Sequence, residues 1–131
     1  MANLITNSGR ALQTNLVSGL GGIAPKWMGL GSGTTAAAVT DTTLTTEYTT
    51  GTFTGYARVV TTPTRTTTSV TNDTISWVAS WTLPSAESPA ECGNFDQLAL
   101  GGSLLDHSVF GAITGLGTGD VFQITKTLQY T

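Results

Sequence analysis

Charge is what this sequence has least of: five Lys or Arg, eight Asp or Glu and a single His, so charged residues are 10% of the chain, against roughly 25% in an ordinary globular protein. Arg10, Lys26, Arg58, Arg65 and Lys126 are scattered and the net charge is −3. Nucleic acid is therefore excluded as a partner, because phosphate contacts need clustered positive charge. Cys92 is the one cysteine, which rules out an intrachain disulfide and leaves stability to packing or to partners. Nothing approaches the roughly 20 consecutive apolar residues of a membrane-spanning helix. Residues Met1 to Arg10 have no cationic stretch leading into a long apolar run, so no secretory signal is read there and the expectation is a soluble chain made inside a cell.

Threonine and glycine fill the space that charge leaves, with 27 Thr and 16 Gly among 131 residues. Thr is β-branched and Gly supplies turn conformations, so the composition favours extended, turn-rich structure. Such a mixture also describes flexible tracts, but those lack aromatic and branched apolar residues and carry high net charge. Three Trp, four Phe and three Tyr are enough to build a core. A chain of this length buries roughly 65% of its unfolded surface in one domain, and a second core is not expected.

Along the chain, Leu12, Leu16 and Leu20 recur at four-residue intervals behind a cap at Asn7 or Ser8, which predicts a short helix ended by Gly19, Gly21 and Gly22. Lys26 to Leu30 reads as a short buried strand. Residues 40 to 74 hold 17 Thr, yet Phe53, Tyr56, Val59, Val60 and Val70 interrupt them, predicting strands with polar outer faces, Tyr56 to Thr62 the clearest. Between Ile75 and Leu83 the residues Ile75, Trp77, Ala79, Trp81 and Leu83 alternate with a largely polar set, which is the strongest strand pattern present. Pro84 and Pro89 bracket an irregular connection. Apolar residues from Phe95 to Ile113 return between glycines and suggest several short strands. Gly117 to Asp120 reads as a turn into a last strand, Val121 to Thr131, whose apolar side is broken by Lys126, a residue that either snorkels to the rim or pairs with a carboxylate. Seven or eight strands point to an all-β, single-domain β-sandwich or jelly-roll-like fold with a short N-terminal helix or arm: residues 1–22 as the arm, 23–131 as the sandwich.

Residues able to do chemistry are few, and each has a plainer reading. Glu87 and Glu91 are spaced like a carboxylate pair, but they flank Pro89 in a polar connection and are read as solvated. His107 follows Asp106, and neighbours on a strand point to opposite faces, so no triad or metal set is assembled from them. Gly29-Leu-Gly-Ser-Gly-Thr-Thr35 resembles a phosphate loop superficially but lacks its lysine and is read as a structural turn. Cys92 has no nearby cation and is read as a small, partly buried side chain. Trp77 and Trp81 share a face with Ile75 and Leu83 and are assigned to the core rather than to a sugar platform. No catalytic, cofactor-binding or metal residues are expected.

Segments spread over nearly the whole chain carry a resemblance: Asn7-Ser-Gly-Arg10, Asn15-Leu-Val-Ser-Gly19, Pro25-Lys-Trp-Met-Gly-Leu-Gly-Ser-Gly-Thr-Thr-Ala36, Ala38-Val-Thr-Asp-Thr-Thr-Leu-Thr-Thr-Glu47, Arg65-Thr-Thr-Thr-Ser-Val-Thr-Asn-Asp-Thr74, Cys92-Gly-Asn-Phe-Asp96, Gly101-Gly-Ser-Leu-Leu105 and Thr118-Gly-Asp-Val-Phe-Gln-Ile-Thr125. In their order and spacing the chain resembles small structural proteins of tailed bacteriophage virions, whose members look like they carry Ala-Gly-Leu-Phe-Asp where this chain has Cys92-Gly-Asn-Phe-Asp96. The resemblance implies a β-sandwich or jelly-roll-like fold, no catalytic residues and a place on the virion. The expected function is that of a capsid decoration, or cement, protein that binds the major capsid protein as a homo-oligomeric dimer or trimer, with residues up to Gly22 as an adaptable arm. The alternative is a tail fibre or baseplate protein contacting the host surface.

Overall fold

The computed structural model describes residues 3–131; Met1 and Ala2 of the expected arm lie outside the described residues. Eight strands and one helix follow in the order β1 (Leu4–Ile5), α1 (Asn7–Ser18), β2 (Trp27–Gly31), β3 (Val59–Val60), β4 (Thr64–Thr66), β5 (Thr74–Thr82), β6 (Glu91–Phe95), β7 (Leu104–Val109) and β8 (Val121–Gln129). All pairings are antiparallel, forming a five-stranded sheet β1-β7-β6-β2-β3 and a three-stranded sheet β4-β5-β8. The fold is thus all-β and sandwich-like with a short N-terminal helix, as the composition and alternation predict.

The main core lies between the sheets. Trp77, Ala79 and Trp81 of β5 and Ile124 of β8 meet Met28, Leu30, Cys92 and Leu105, and the aromatic trio Tyr48, Phe53 and Tyr56 joins the same cluster. β5 and β8 pair without interruption over nine residues each, from Thr74 opposite Gln129 to Thr82 opposite Val121. Their alternation buries one face and wets the other. β6 differs, since all five of its residues are buried. Its second face is covered by the long connection after β2, where Leu44 packs on Phe95 and Leu104 in a separate cluster.

The helix forms where the leucine spacing places it, but its cap is Thr6 rather than Asn7 or Ser8. Thr6 has extended backbone and its hydroxyl accepts the Gly9 amide at 3.0 Å, satisfying one of the helix's otherwise unpaired donors. The same threonine amide donates to the Leu105 carbonyl, so the cap also ties the helix to β7. Gly19 closes the helix at φ 71°, a left-handed conformation that glycine adopts without strain. Of the leucine series only Leu12 is buried. Gly9 sits directly against the Leu105 backbone, in space that a Cβ would fill. Gly9→Ala is expected to push α1 off β7 and cost about 1–3 kcal/mol, as overpacked sites do; urea denaturation of the two proteins checks it.

Two strand expectations fail, one in the threonine-rich region and one after Phe95. Of the strand expected from Tyr56 to Thr62, only Val59–Val60 pairs. The flanking residues instead serve as side-chain hooks, the Tyr56 hydroxyl and the Arg58 guanidinium both reaching Glu47. Most of residues 32–58 is irregular, held by side-chain-to-backbone bonds that compete with ladders. Between Phe95 and Leu104 there is a loop rather than further strands, with Leu98 and Leu100 exposed.

Candidate functional site

Charged side chains, scarce in the sequence, are concentrated at three buried nodes. At the first, Glu47 meets Arg58 in a two-pronged pair, Nε to Oε1 at 2.8 Å and Nη2 to Oε2 at 2.9 Å. The third arm, Nη1, donates to the carbonyls of Gln97, Ala99 and Gly101, and the guanidinium lies 3.4 Å from the centre of the Phe95 ring. Arg58 thereby fastens the β6–β7 loop to the long connection. Only a planar, forked cation can make this set of bonds while stacking on a ring. The Tyr56 hydroxyl donates to Glu47 and accepts the Leu30 amide; burial first, then the Glu47 charge, push its pKa well above that of an ordinary phenol.

The second node is His107, fully buried on β7 between two carboxylates. Nδ1 lies 2.7 Å from Asp41 and Nε2 2.7 Å from Glu91. Glu91 also accepts the amides of Gly33, Thr45 and Thr46, while Asp41 accepts the Ala38 amide. One imidazole thus anchors the connection from residue 33 to residue 46 onto the sheet. Burial alone lowers the His107 pKa, but the bonds to Glu91 and Asp41 outweigh it and the net shift is upward. Burial likewise raises Glu91, which His107 and the Thr46 and Thr45 amides more than offset, so it stays below its ordinary value. Asp41 is lowered, chiefly by the Ala38 amide.

Glycines make room for this node. A Cβ on Gly31 would stand 2.6 Å from a Glu91 carboxylate oxygen, on Gly33 2.5 Å from the same atom, and on Gly29 2.9 Å from Glu47. The segment read as a structural turn is therefore partly strand, its alternate glycines forming a cradle for two carboxylates. Glu91, read as solvated, is wholly buried, whereas Glu87 stays in the connection and accepts a bond from Ser85.

The third node joins the sheets: Lys126 of β8 reaches Asp106 of β7 at 2.7 Å, both side chains without solvent exposure. Of the two alternatives for Lys126, pairing is the one observed. Asp106 also accepts the Asn94 amide. Its other carboxylate oxygen and both polar atoms of the Asn94 side chain are buried with no hydrogen-bond partner in the described structure. Leu shares the branching of Asn, so Asn94→Leu removes two unpaired polar atoms for similar shape. It is expected to stabilise the protein by about 1–2 kcal/mol, read as a higher Tm.

Asp106 and His107 face opposite ways, as neighbours on a strand should. With both ring nitrogens bonded to carboxylates, His107 has none left to accept a proton from a substrate or to ligate a metal. The two carboxylates sit at opposite ends of the ring rather than converging on a point, and among the described residues no group of three or more His, Cys, Asp or Glu is arranged to hold a metal ion. Cys92 is fully buried, its thiol pushed up to about 11 mainly by burial. Trp77 and Trp81 are core residues. The ionic groups tie the long connection to the sheet and one sheet to the other. No family model, curated protein or solved structure matches this chain. Sequence reasoning missed Asp41, Glu47 and Arg58; the one available signal was the row of alternate glycines at 29, 31 and 33, which empties one face of a strand opposite something large.

The surface is the inverse of the interior. Arg10, Lys26 and Arg65 are its exposed cations, and every carboxylate in the sequence accepts at least one internal hydrogen bond. Apolar exposure is spread over the surface, at Val60, Val70, Leu98, Leu100 and Val121 among others, and includes a group on and just after α1, with Val17 90%, Leu20 82% and Ile23 57% exposed. Beside them opens an apolar cleft of about 190 Å³ whose lining includes Leu16, Pro25, Pro63, Ile75, Trp77 and Leu105. No helix among the described residues is long and apolar enough to cross a membrane.

Proposed function

We propose that this protein is a bacteriophage virion structural protein, a capsid decoration protein that binds the lattice of the major capsid protein. The observation that carries the reading is the division of labour between inside and outside. Ionic groups are turned inward to fix long connections, and the outside is hydroxyl-rich and charge-poor, with its two most exposed large apolar side chains, Val17 and Leu20, on and just after α1. A surface of this kind suits contact with another protein, since little charge has to be desolvated there and an exposed stretch of α1 borders an apolar cleft. The ordered segments from Asn7 to Thr125, which resemble small tailed-phage virion proteins, supply the partner. On a repeating lattice modest affinity per contact is multiplied when several sites are engaged together.

Cryo-electron microscopy of the intact virion, with the copy number of this chain measured on the same preparation, tests the proposal. Copies covering the shell are the expected result. A few copies confined to the tail would overturn it in favour of a fibre or baseplate role. The contact itself is tested by Val17→Asp with Leu20→Asp: the double variant is expected to fold normally, since both side chains are exposed, and to bind particles lacking the protein more weakly than the parent chain. Equal binding would remove α1 from the interface.

A further inference from the structure

The sheet edges of this fold are not alike. β1 and β3, at the two edges of the larger sheet, are two residues long, and β4, at one edge of the smaller, has three residues including Arg65. Short strands and charge are the ordinary ways in which edges are kept from pairing. β8, the remaining edge, runs nine residues with no proline, glycine or bulge. Its only charge, Lys126, points inward and is already bonded to Asp106.

Three hydrogen bonds establish which main-chain groups of β8 are unused. The Tyr130 amide donates to Asp73 and the Asp120 carbonyl accepts from Leu83, so even-numbered residues direct their amides and carbonyls toward β5. In an antiparallel ladder the intervening residues then point away from it. The Thr127 carbonyl does so, since it accepts the Asn3 side-chain amide at 2.6 Å. Val121, Gln123, Thr125, Thr127 and Gln129 therefore present their main chains outward, and a groove of about 380 Å³ lined by Asn3 and residues 125–129 runs along the second half of the strand.

We propose that this edge pairs antiparallel with β8 of a second copy, about a two-fold axis through Thr125, so that two three-stranded sheets become one of six strands. The spacing of outward-facing residues makes the match self-complementary: Thr125 meets its own copy, Gln123 meets Thr127 and Val121 meets Gln129, each a hydrogen-bonded pair. No like charges oppose one another. On the inner face Phe122 stands across from Leu128 and Ile124 across from Lys126. Asn3 gives up one bond to the Thr127 carbonyl, which the partner's Gln123 amide replaces. The arrangement closes at two copies, because the outer edges of the joined sheet are the short, Arg65-bearing β4 strands. The inference does not rest on the virion assignment.

Sedimentation equilibrium of the full chain, from micromolar to submillimolar concentration, is expected to show a monomer–dimer equilibrium. Thr125→Pro removes an outward amide without touching the ladder to β5, a substitution that edge strands tolerate, and is expected to weaken association by roughly tenfold or more. Thr125→Cys provides an independent reading. Hydrogen-bonded antiparallel pairs place Cα atoms about 5.5 Å apart, within disulfide reach, so diamide, which accepts the two thiol hydrogens, should cross-link this variant rapidly. Val121→Cys on the same edge stands about eight residues, roughly 26 Å, from its own copy and should not cross-link. Cys92 is buried and stays silent in both. A wild-type chain that is monomeric throughout, or cross-linking equally fast at 121 and 125, would overturn the proposal.

Discussion

Replacing His107 with alanine is expected to destabilise the protein by about 3–5 kcal/mol, the usual cost of stripping one partner from a buried ionic pair. The size follows from what is left behind. Glu91 would remain wholly buried and anionic with only the amides of Gly33, Thr45 and Thr46 to hold it, and Asp41 would lose its link to the sheet. His107→Gln, which keeps a donor but reaches only one carboxylate, should fall between the variant and the parent. Urea denaturation gives the magnitude. Hydrogen exchange gives the place, since the amides of residues 33–46 should lose protection before those of β5 and β8. A variant as stable as the parent, or one losing protection uniformly, would show that the histidine does not anchor this connection.

The same node gives the protein a preferred pH range. His107 has its folded pKa raised above 6.5, so the stability it contributes is complete below 6.5 and is lost as pH rises through the folded value. Glu91 and Asp41 are shifted the other way, from ordinary values of 4.5 and 3.8, so their contribution is complete above those values and is lost as pH falls through the lowered ones. Stability should therefore be greatest between about pH 5 and 6.5 and decline above that range first with the titration of His107, with Cys92 and Tyr56 adding to the loss only in more alkaline solution. His107→Ala should flatten the first part of that decline. If the variant keeps the parent's slope, another group causes it.

How much of this was legible in the sequence depends on the distance over which each feature is decided. β5 and β8 could be read because period-two alternation is local and the sheets honour it. Helix α1 could be read from leucine spacing, but its cap could not be placed, because Thr6 was chosen by its tertiary bonds to Leu104 and Leu105 as well as by the helix. The threonine-rich stretch misled for a similar reason. Thr favours strands when neighbours exist to pair with, and here the connection is organised by Glu91 and His107, which bind it from 45 to 66 residues away. The charged nodes were illegible singly, since Asp41 and His107 are 66 residues apart and Glu47 and Arg58 belong to stretches with no ionic pattern. Their shared trace was negative: glycines at alternate positions, leaving space for side chains that the local sequence does not contain.

Lys126 and Asp106 should behave unlike the histidine node when both partners are removed. Lys126→Met leaves a buried carboxylate, and Asp106→Leu a buried ammonium; each is expected to cost about 3–5 kcal/mol. The pair itself is poorly supported, because one Asp106 oxygen and the Asn94 side chain have no hydrogen-bond partners in the described structure. Its Coulomb attraction therefore works against a large desolvation cost, and the double variant should recover to within about 1 kcal/mol of the parent or exceed its stability. A four-protein denaturation cycle reads the coupling directly. Double-variant losses equal to the sum of the single ones would mean that the groups do not interact and that the pairing is wrong. The pair's further effect is on register. A one-residue slip of β8 would carry Lys126 to the wet face and Thr125 and Thr127 into the core. Since Phe122, Ile124 and Leu128 enforce the same alternation without help from charge, the double variant should still show a single set of backbone NMR resonances. Two sets would assign the ion pair to holding β8 in place against β5.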